Sequence, residues 1–372
     1  MNRRNALRQM ACLAAVCSGL GPMAVVAQTA DPFAEFSTER NPLNVPWAAW
    51  KAAYLSDDGR VVDTMQQGAS HSESQGYGLL LAAIFGDYAA FDLIFDWTEA
   101  NLAIRSDSLL AWRWLPEGNG GVPDLNNASD GDLFYAWALV LRAQREGYPA
   151  LMDRARAIAA DLVAQCVVLA PDGSGRMLML PAAQGFVHEE GVIINLSYYM
   201  PLAMREVARA TGARALATCA ADGDVIMQAL SQEGPMPDWI GVGPQGLFLP
   251  RDQSDRNGYE AMRVPLFLIW SGNTNHAAVA AQAAAYRRAG ALGDPDMGNN
   301  VTVFDRASGA VIETSHHVGY AALAALVDCN TASTAGSAIP VYRTVDQAYY
   351  PATLHLMALI AQITAAPECV PI

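Results

Sequence analysis

Residues 70–81 read SHSESQGYGLLL: small polar residues around one carboxylate, Glu73, followed by an apolar surge. Ser72 and Gln75 form an S-x-x-Q pair, a signature of helix starts, and an acid in a first turn complements the positive end of the helix dipole. The stretch therefore predicts a helix capped by Ser72 and Gln75. Whether Glu73 has a second task depends on what the rest of the chain brings to such junctions.

Two other stretches repeat the arrangement. In DLNNASDGD (124–132) three carboxylates, Asp124, Asp130 and Asp132, share one loop with Asn126 and Asn127 ahead of an apolar helix. Ser129 and Asp132 predict a cap there, yet capping needs at most one acid and one hydroxyl. Crowded like charges are costly unless partners or ligands offset them. In GYEAMR (258–263) a polar turn with Glu260 enters the apolar run VPLFLIW. Acids at 73, 130 and 260 thus each stand where a loop becomes a helix. Aromatic residues cluster at the same kind of junction: Trp112 and Trp114 in LLAWRW, Tyr198 in NLSYY, Trp239 in MPDW. Carboxylates facing an aromatic-lined groove suit a sugar polymer, since flat rings stack on pyranose faces while acids handle hydroxyls and the glycosidic oxygen.

Around these junctions the chain reads as a succession of apolar helical stretches: 76–101, 130–146, 152–169, 191–211, 274–289, 316–328 and 350–365. Leu133, Ala136, Trp137, Val140 and Leu141 show the i, i+3, i+4 spacing. Residues 31–46, rich in proline and asparagine, read as extended. Strand-like alternation is scarce, and no charge run or flexible linker divides the chain, so a single domain over 31–372 is expected. Long polar connections favour a multi-helix barrel over a short-loop bundle.

The bulk properties exclude several classes. With 52% hydrophobic and 16% charged residues the chain is no disordered protein. A net charge of −14 argues against nucleic acid or an anionic membrane as partner. Lys51 is the only lysine, which all but removes Schiff-base chemistry. The first residues carry Arg3, Arg4 and Arg8, then an apolar run ending in Val25-Val26-Ala27. That pattern predicts a signal peptide, residues 1–27, with a start resembling a twin-arginine signal, and hence a periplasmic or secreted protein. Cleavage removes three arginines and no acid, taking the charge from −14 to about −17.

Other motifs fail. GVGPQG (241–246) matches G-x-G-x-x-G, but it follows a PDW turn and lacks the strand before and helix after that a dinucleotide needs. There is no G-x-S-x-G, H-E-x-x-H or P-loop. His316 and His317 are adjacent and point to different faces. Cys166, Cys219, Cys329 and Cys369 form no C-x-x-C pair, so neither metal nor cofactor is expected. The four cysteines allow three pairings, with buried free thiols as the alternative.

SESQGYGLLL, LLAWRW, NNASDGDLFYAWAL, NLSYY, PDW and YEAMRVP, in this order, resemble glycoside hydrolase family 8, in particular its exported endoglucanases associated with bacterial cellulose synthesis. The resemblance spans roughly residues 40–365. It implies an all-α (α/α)6 barrel and an inverting endo-β-1,4-glucanase that needs no metal. It places Glu73 as general acid, Asp130 on the sugar at the cleavage subsite, Tyr198 near the catalytic water and Trp112 as a stacking residue. Glu260 falls on the general base, where the family usually carries aspartate. The extra carbon–carbon bond adds about 1.5 Å of reach. Trp114, Asp124, Trp239, Tyr259 and Arg263 complete the expected substrate-binding set. The expected partners are a β-glucan and a cellulose synthesis or export complex. Two rivals stand beside this reading. One is a non-catalytic glucan-binding or assembly protein; the other is a hydrolase of chitosan, xylan or mixed-linkage glucan.

Overall fold

The computed structural model describes residues 31–292, 298–329, 339–344 and 347–369; the expected signal peptide lies outside them. From Phe33 onward the chain packs as one unit. Eleven α-helices occur among the described residues: α1 (Asn44–Tyr54), α2 (Ser72–Phe85), α3 (Tyr88–Asn101), α4 (Ser129–Glu146), α5 (Pro149–Cys166), α6 (Pro201–Thr211), α7 (Arg214–Leu230), α8 (Arg263–Trp270), α9 (Ala277–Arg288), α10 (Val318–Cys329) and α11 (Tyr349–Ala365). Packing alternates along the chain: α2 lies on α4, α4 on α6, α6 on α8 and α8 on α10. Up to α10 inner and outer helices alternate, as in an (α/α)6 barrel; α11 follows α10 as a further inner helix, packed on α8, α10 and α1. Helices α2, α4, α8, α10 and α11 are buried on nearly all sides, whereas α3, α5, α7 and α9 bury one face. Trp50 on α1 donates to Thr353 Oγ1 on α11 at 2.9 Å, joining the first helix to the last.

Several local expectations are corrected. The run 76–101 is two helices, because Gly86 takes a left-handed conformation and Asp87 caps α3 through Ala90 N–H. Residues 191–194 form a strand rather than the start of a helix. The segment 31–46 is not extended throughout: it holds a 3₁₀ turn at Ala34–Ser37 and the first residues of α1. Both expected caps are displaced. At α2 the cap is His71, whose N–H is accepted by Ser74 Oγ, while Gln75 reaches back to Val61 N–H and Gly59 O. At α4, Ser129 lies inside the helix and donates to Leu180 O, and Asp132 accepts from Leu110 N–H and Asn127 Nδ2. Gln75, Ser129 and Asp132 tie the helix starts to neighbouring segments instead of closing their own first turns, while Ser72 Oγ is buried without a partner among the described residues.

Small antiparallel strands occupy the loops. They are β1 (Ser70–His71), β2 (Arg113–Trp114), β3 (Val167–Leu169), β4 (Met177–Met179), β5 (Val187–His188), β6 (Gly191–Ile194), β7 (Ile240–Gly243), β8 (Gly246–Phe248), β9 (Asn300–Phe304) and β10 (Val311–Ser315). The largest sheet has the order β5-β6-β7-β8. GVGPQG is the β7–β8 hairpin, with Pro244 and Gln245 as its two-residue loop.

Cys329 and Cys369 are disulfide-bonded, and Cys166 and Cys219 are buried free thiols. The bond ties the end of α10 to the turn after α11 across a sequence separation of 40. Closing a loop of that length restricts the unfolded chain, so Cys369→Ser should lower the unfolding free energy by about 2–4 kcal/mol. A urea titration with an unchanged midpoint would contradict the bond.

Candidate active site

The site is built on helix starts. Glu73 is the second residue of α2, Asp130 the second of α4, and Arg263 the first of α8. Tyr198 closes a 3₁₀ turn (Leu196–Tyr198) just before α6. Tyr350 is the second residue of α11 and its hydroxyl donates to the Tyr259 carbonyl. Close approach of α2 and α4 depends on Gly131: a Cβ there would lie 2.4 Å from Ser72 Oγ and 2.7 Å from Glu73 N. With glycine the two first turns touch, and Glu73 and Asp130 come together.

Arg263 joins all three predicted acids. Its side chain is 1% exposed. Nη1 donates to Glu73 Oε2 at 2.6 Å, to Tyr77 OH at 3.0 Å and to Asp130 Oδ2 at 3.3 Å. Nη2 donates to Ser197 Oγ at 2.8 Å and pairs with Glu260 Oε2. Glu260 stands three residues before Arg263 in the turn entering α8, and Asn195 Nδ2 donates to the same Oε2 at 2.9 Å. Asp238 holds that turn by accepting from Gly258 N–H and Ala261 N–H, each at 2.9 Å.

One cation among three carboxylates leaves an excess of negative charge in a desolvated place, and protonation relieves it. Desolvation pushes Glu73 up to about 8, outweighing the pull of Arg263 and reinforced by Asp130, Glu260 and Asp63. Desolvation also raises Asp130, to about 6, against the pull of Arg263. Asp132, two residues further along α4, is raised to about 7 by burial. At neutral pH the proton therefore belongs on Glu73, while Arg263 faces ionised Asp130.

The aromatic residues divide. Trp239 stacks on Phe186 at 5.7 Å with an interplanar angle of 5°, and meets Tyr198 at 6.3 Å. Tyr198 in turn lies under the Arg263 guanidinium, at 5.6 Å. Trp112 is half-buried and fixed by its Nε1–H to Asp124 Oδ2 at 2.9 Å. Asp124 is exposed and stands apart from the acids that Arg263 gathers; its carboxyl is held below the ordinary value by the Asn126 N–H and Trp112. Trp114 packs on Trp97 and lies beneath the Arg60 guanidinium, as part of the wall under β1–β2. Tyr259 is 42% exposed and donates to Glu313 Oε2 at 3.2 Å. His316 and His317 lie with their rings 4.2 Å apart, beside Tyr320.

Sequence reasoning missed Asn195, Ser197, Asp238, Tyr77 and Phe186. The first four lie inside or beside the quoted motifs, where attention went to the acids and aromatic rings; nothing in the sequence singles out Phe186.

Comparison with known proteins bears on the family and the fold. The model of the family "Glycosyl hydrolases family 8" matches residues 22–364. A probable endoglucanase of Novacetimonas hansenii is 34% identical over 322 residues, 85% of this chain and 90% of that protein. The structure of the endo-β-1,4-glucanase CMCax from Acetobacter xylinum is similar with a TM-score of 0.73 and 31% identity, covering 86% of this chain and 98% of that one. The family 8 endoglucanase Cel10 from Klebsiella pneumoniae gives 0.74 at 27% identity, covering 86% and 99%.

Because the acids depend on one buried cation, Arg263→Met should cost about 3–5 kcal/mol of stability at pH 8, where carboxylates are left uncompensated. Carboxyls with raised folded-state values regain protons as pH falls, so the deficit should shrink at pH 5. Chemical denaturation at the two pH values measures this; equal deficits would contradict the charge accounting.

Proposed function

The chain belongs to glycosyl hydrolases family 8, and from that membership we propose how its residues divide the work of an endo-β-1,4-glucanase. The enzyme hydrolyses β-glucan by inversion, which requires a protonated acid at the leaving oxygen and a base that activates water on the opposite face of the ring. Glu73 is the acid: burial keeps its proton in place at neutral pH, and its side chain is still 22% exposed to the groove. Glu260 is the base. Its Oε2 is engaged by Arg263 and Asn195, and among the described residues no hydrogen bond reaches its other oxygen. The observation that carries this assignment is the Arg263 guanidinium, with Glu73 on one terminal nitrogen and Glu260 on the other.

Tyr198, between Trp239 and Arg263, lies beside the base and is assigned to the water. Trp112, held by Asp124, and Trp239, stacked on Phe186, supply flat faces for pyranose rings. Asp130 is placed on the sugar at the cleavage subsite by the motif resemblance. Its side chain is 2% exposed, so its contribution to Glu73's proton affinity is the better supported role. Arg263 and Tyr259 organise the base turn, and Trp114 supports the groove wall from behind. A non-catalytic glucan-binding protein has no use for two carboxyls gathered on one buried guanidinium, one of them raised in proton affinity by burial, and that pairing supports hydrolysis.

We place the protein outside the cytoplasm. The signal-like residues 1–27 and the Cys329–Cys369 bond support this, since disulfides persist in oxidising compartments. A partnership with a cellulose synthesis system rests on the motif resemblance alone.

Reducing-end release from carboxymethyl cellulose, xylan and chitosan tests the activity, with the cellulose derivative expected to be cleaved fastest. Glu73→Gln keeps the shape but removes the transferable proton, so kcat should fall about 10²–10⁴-fold. Glu260→Gln should abolish turnover while oligosaccharide binding persists. Near-parental activity in Glu73→Gln would refute the acid assignment.

A further inference from the structure

Asn195 sits between β6 and the 3₁₀ turn that carries Tyr198, and it is fully buried. Its Oδ1 accepts from Ser197 N–H at 3.0 Å and from Ser197 Oγ–H at 2.7 Å. Those two donors fix which end of the amide is oxygen, so the NH₂ group must face the other way. There it meets Glu260 Oε2 at 2.9 Å. Ser197 lies 3.2 Å from the same oxygen, but its single proton serves the shorter contact to Asn195, and its lone pairs receive Arg263 Nη2. The donors to Glu260 Oε2 are therefore Asn195 and Arg263.

Capping the turn explains only half of Asn195. Serine, threonine or aspartate would supply the acceptor equally well. What asparagine adds is a donor on the far side of the same side chain, aimed at a carboxylate on a different element 65 residues away. We infer that Asn195 is a positioning residue for the general base, holding one oxygen of Glu260 so that the other is turned toward the water. This inference rests on the assignment of Glu260 as base.

Pinning one oxygen matters here because glutamate has one more rotatable bond than aspartate, and an unpinned carboxylate would sweep a larger arc. Arg263 alone does not fix it, because the same guanidinium also serves Glu73, Asp130, Tyr77 and Ser197. The charged and titratable groups facing Glu260 are Arg263, Glu73, Asp130, Asp238, Tyr198 and Tyr350. Asn195 is a neutral donor among them, so replacing it changes the hydrogen bonding of the base without removing any of these charges.

Two substitutions separate positioning from capping. Asn195→Ser keeps a cap acceptor but is too short to reach Glu260. Asn195→Asp keeps the acceptor and the length but sets a carboxylate where the donor was. Both are read in the full-length enzyme on cellopentaose and carboxymethyl cellulose, with Glu260→Gln measured alongside. Loss of a donor to the ionised base should lower kcat at pH 7 by about tenfold or more. It should also move the acid limb of the kcat profile to higher pH, by about one unit in Asn195→Ser and further in Asn195→Asp. KM should stay within about twofold in both variants, and the melting temperature near the parent's in Asn195→Ser, where the cap persists and no charge is added. Parental kcat and an unmoved acid limb in both variants, with Glu260→Gln inactive, would overturn this inference alone. An active Glu260→Gln would overturn the base assignment and this inference with it.

Discussion

A guanidinium that is 1% exposed stays in a protein interior when its hydrogen-bond donors and its charge are met. At Arg263 the charge and both terminal nitrogens are met by Glu73, Asp130, Glu260, Tyr77 and Ser197, drawn from four separate segments of the chain, while Nε–H is buried without a partner among the described residues. Those segments must converge for the cation to be buried, and their convergence makes the site. The same arrangement sets the protonation states. With more carboxyls than cations in a desolvated volume, a proton is retained, and it falls on Glu73, where burial and three neighbouring acids act together. The group that most resists ionisation is thereby the one that has to deliver a proton.

The barrel supplies the convergence. Helices α2, α4, α6, α8 and α11 all begin at this end, so the acid, the second carboxylate, the tyrosine turn, the base turn and Tyr350 share one rim. Helix N-termini favour anions, which works against a protonated Glu73. Desolvation wins because Gly131 lets α4 pack directly over the start of α2, closing off solvent from below. The base turn is braced separately, by Asp238 through two backbone N–H groups and by Asn195 through the carboxylate itself.

Much of this was legible in the sequence because it is local. An acid followed by an apolar run marks a helix start, and three such starts with tryptophan and tyrosine nearby pointed to one sugar-binding groove. What was not legible depends on tertiary partners. Ser72, Gln75, Ser129 and Asp132 have the residue types of caps, yet Gln75, Ser129 and Asp132 each make a bond to a segment 14 to 51 residues away. Helix α7 is absent from the expected helical stretches; inside it Gly223 lets the Tyr199 ring approach, and a Cβ would sit 2.5 Å from it. Trp112 and Trp114 are two residues apart, yet Trp112, at the bend before β2, is tied to Asp124 while Trp114 packs onto Trp97. Asn195 looks like an ordinary polar residue at a strand end until Glu260, far along the chain, is brought to its amide.

Glu73 keeps its proton at neutral pH because burial outweighs the neighbouring Arg263 cation. Carbon-13 NMR of the Glu73 side-chain carboxyl, assigned by comparison with Glu73→Gln and titrated in the free enzyme, measures that balance directly. A midpoint displaced upward to about 8 is predicted. A midpoint at or below the ordinary value of 4.5 would mean that Arg263 dominates, that Glu73 is ionised at neutral pH, and that it is not the proton donor.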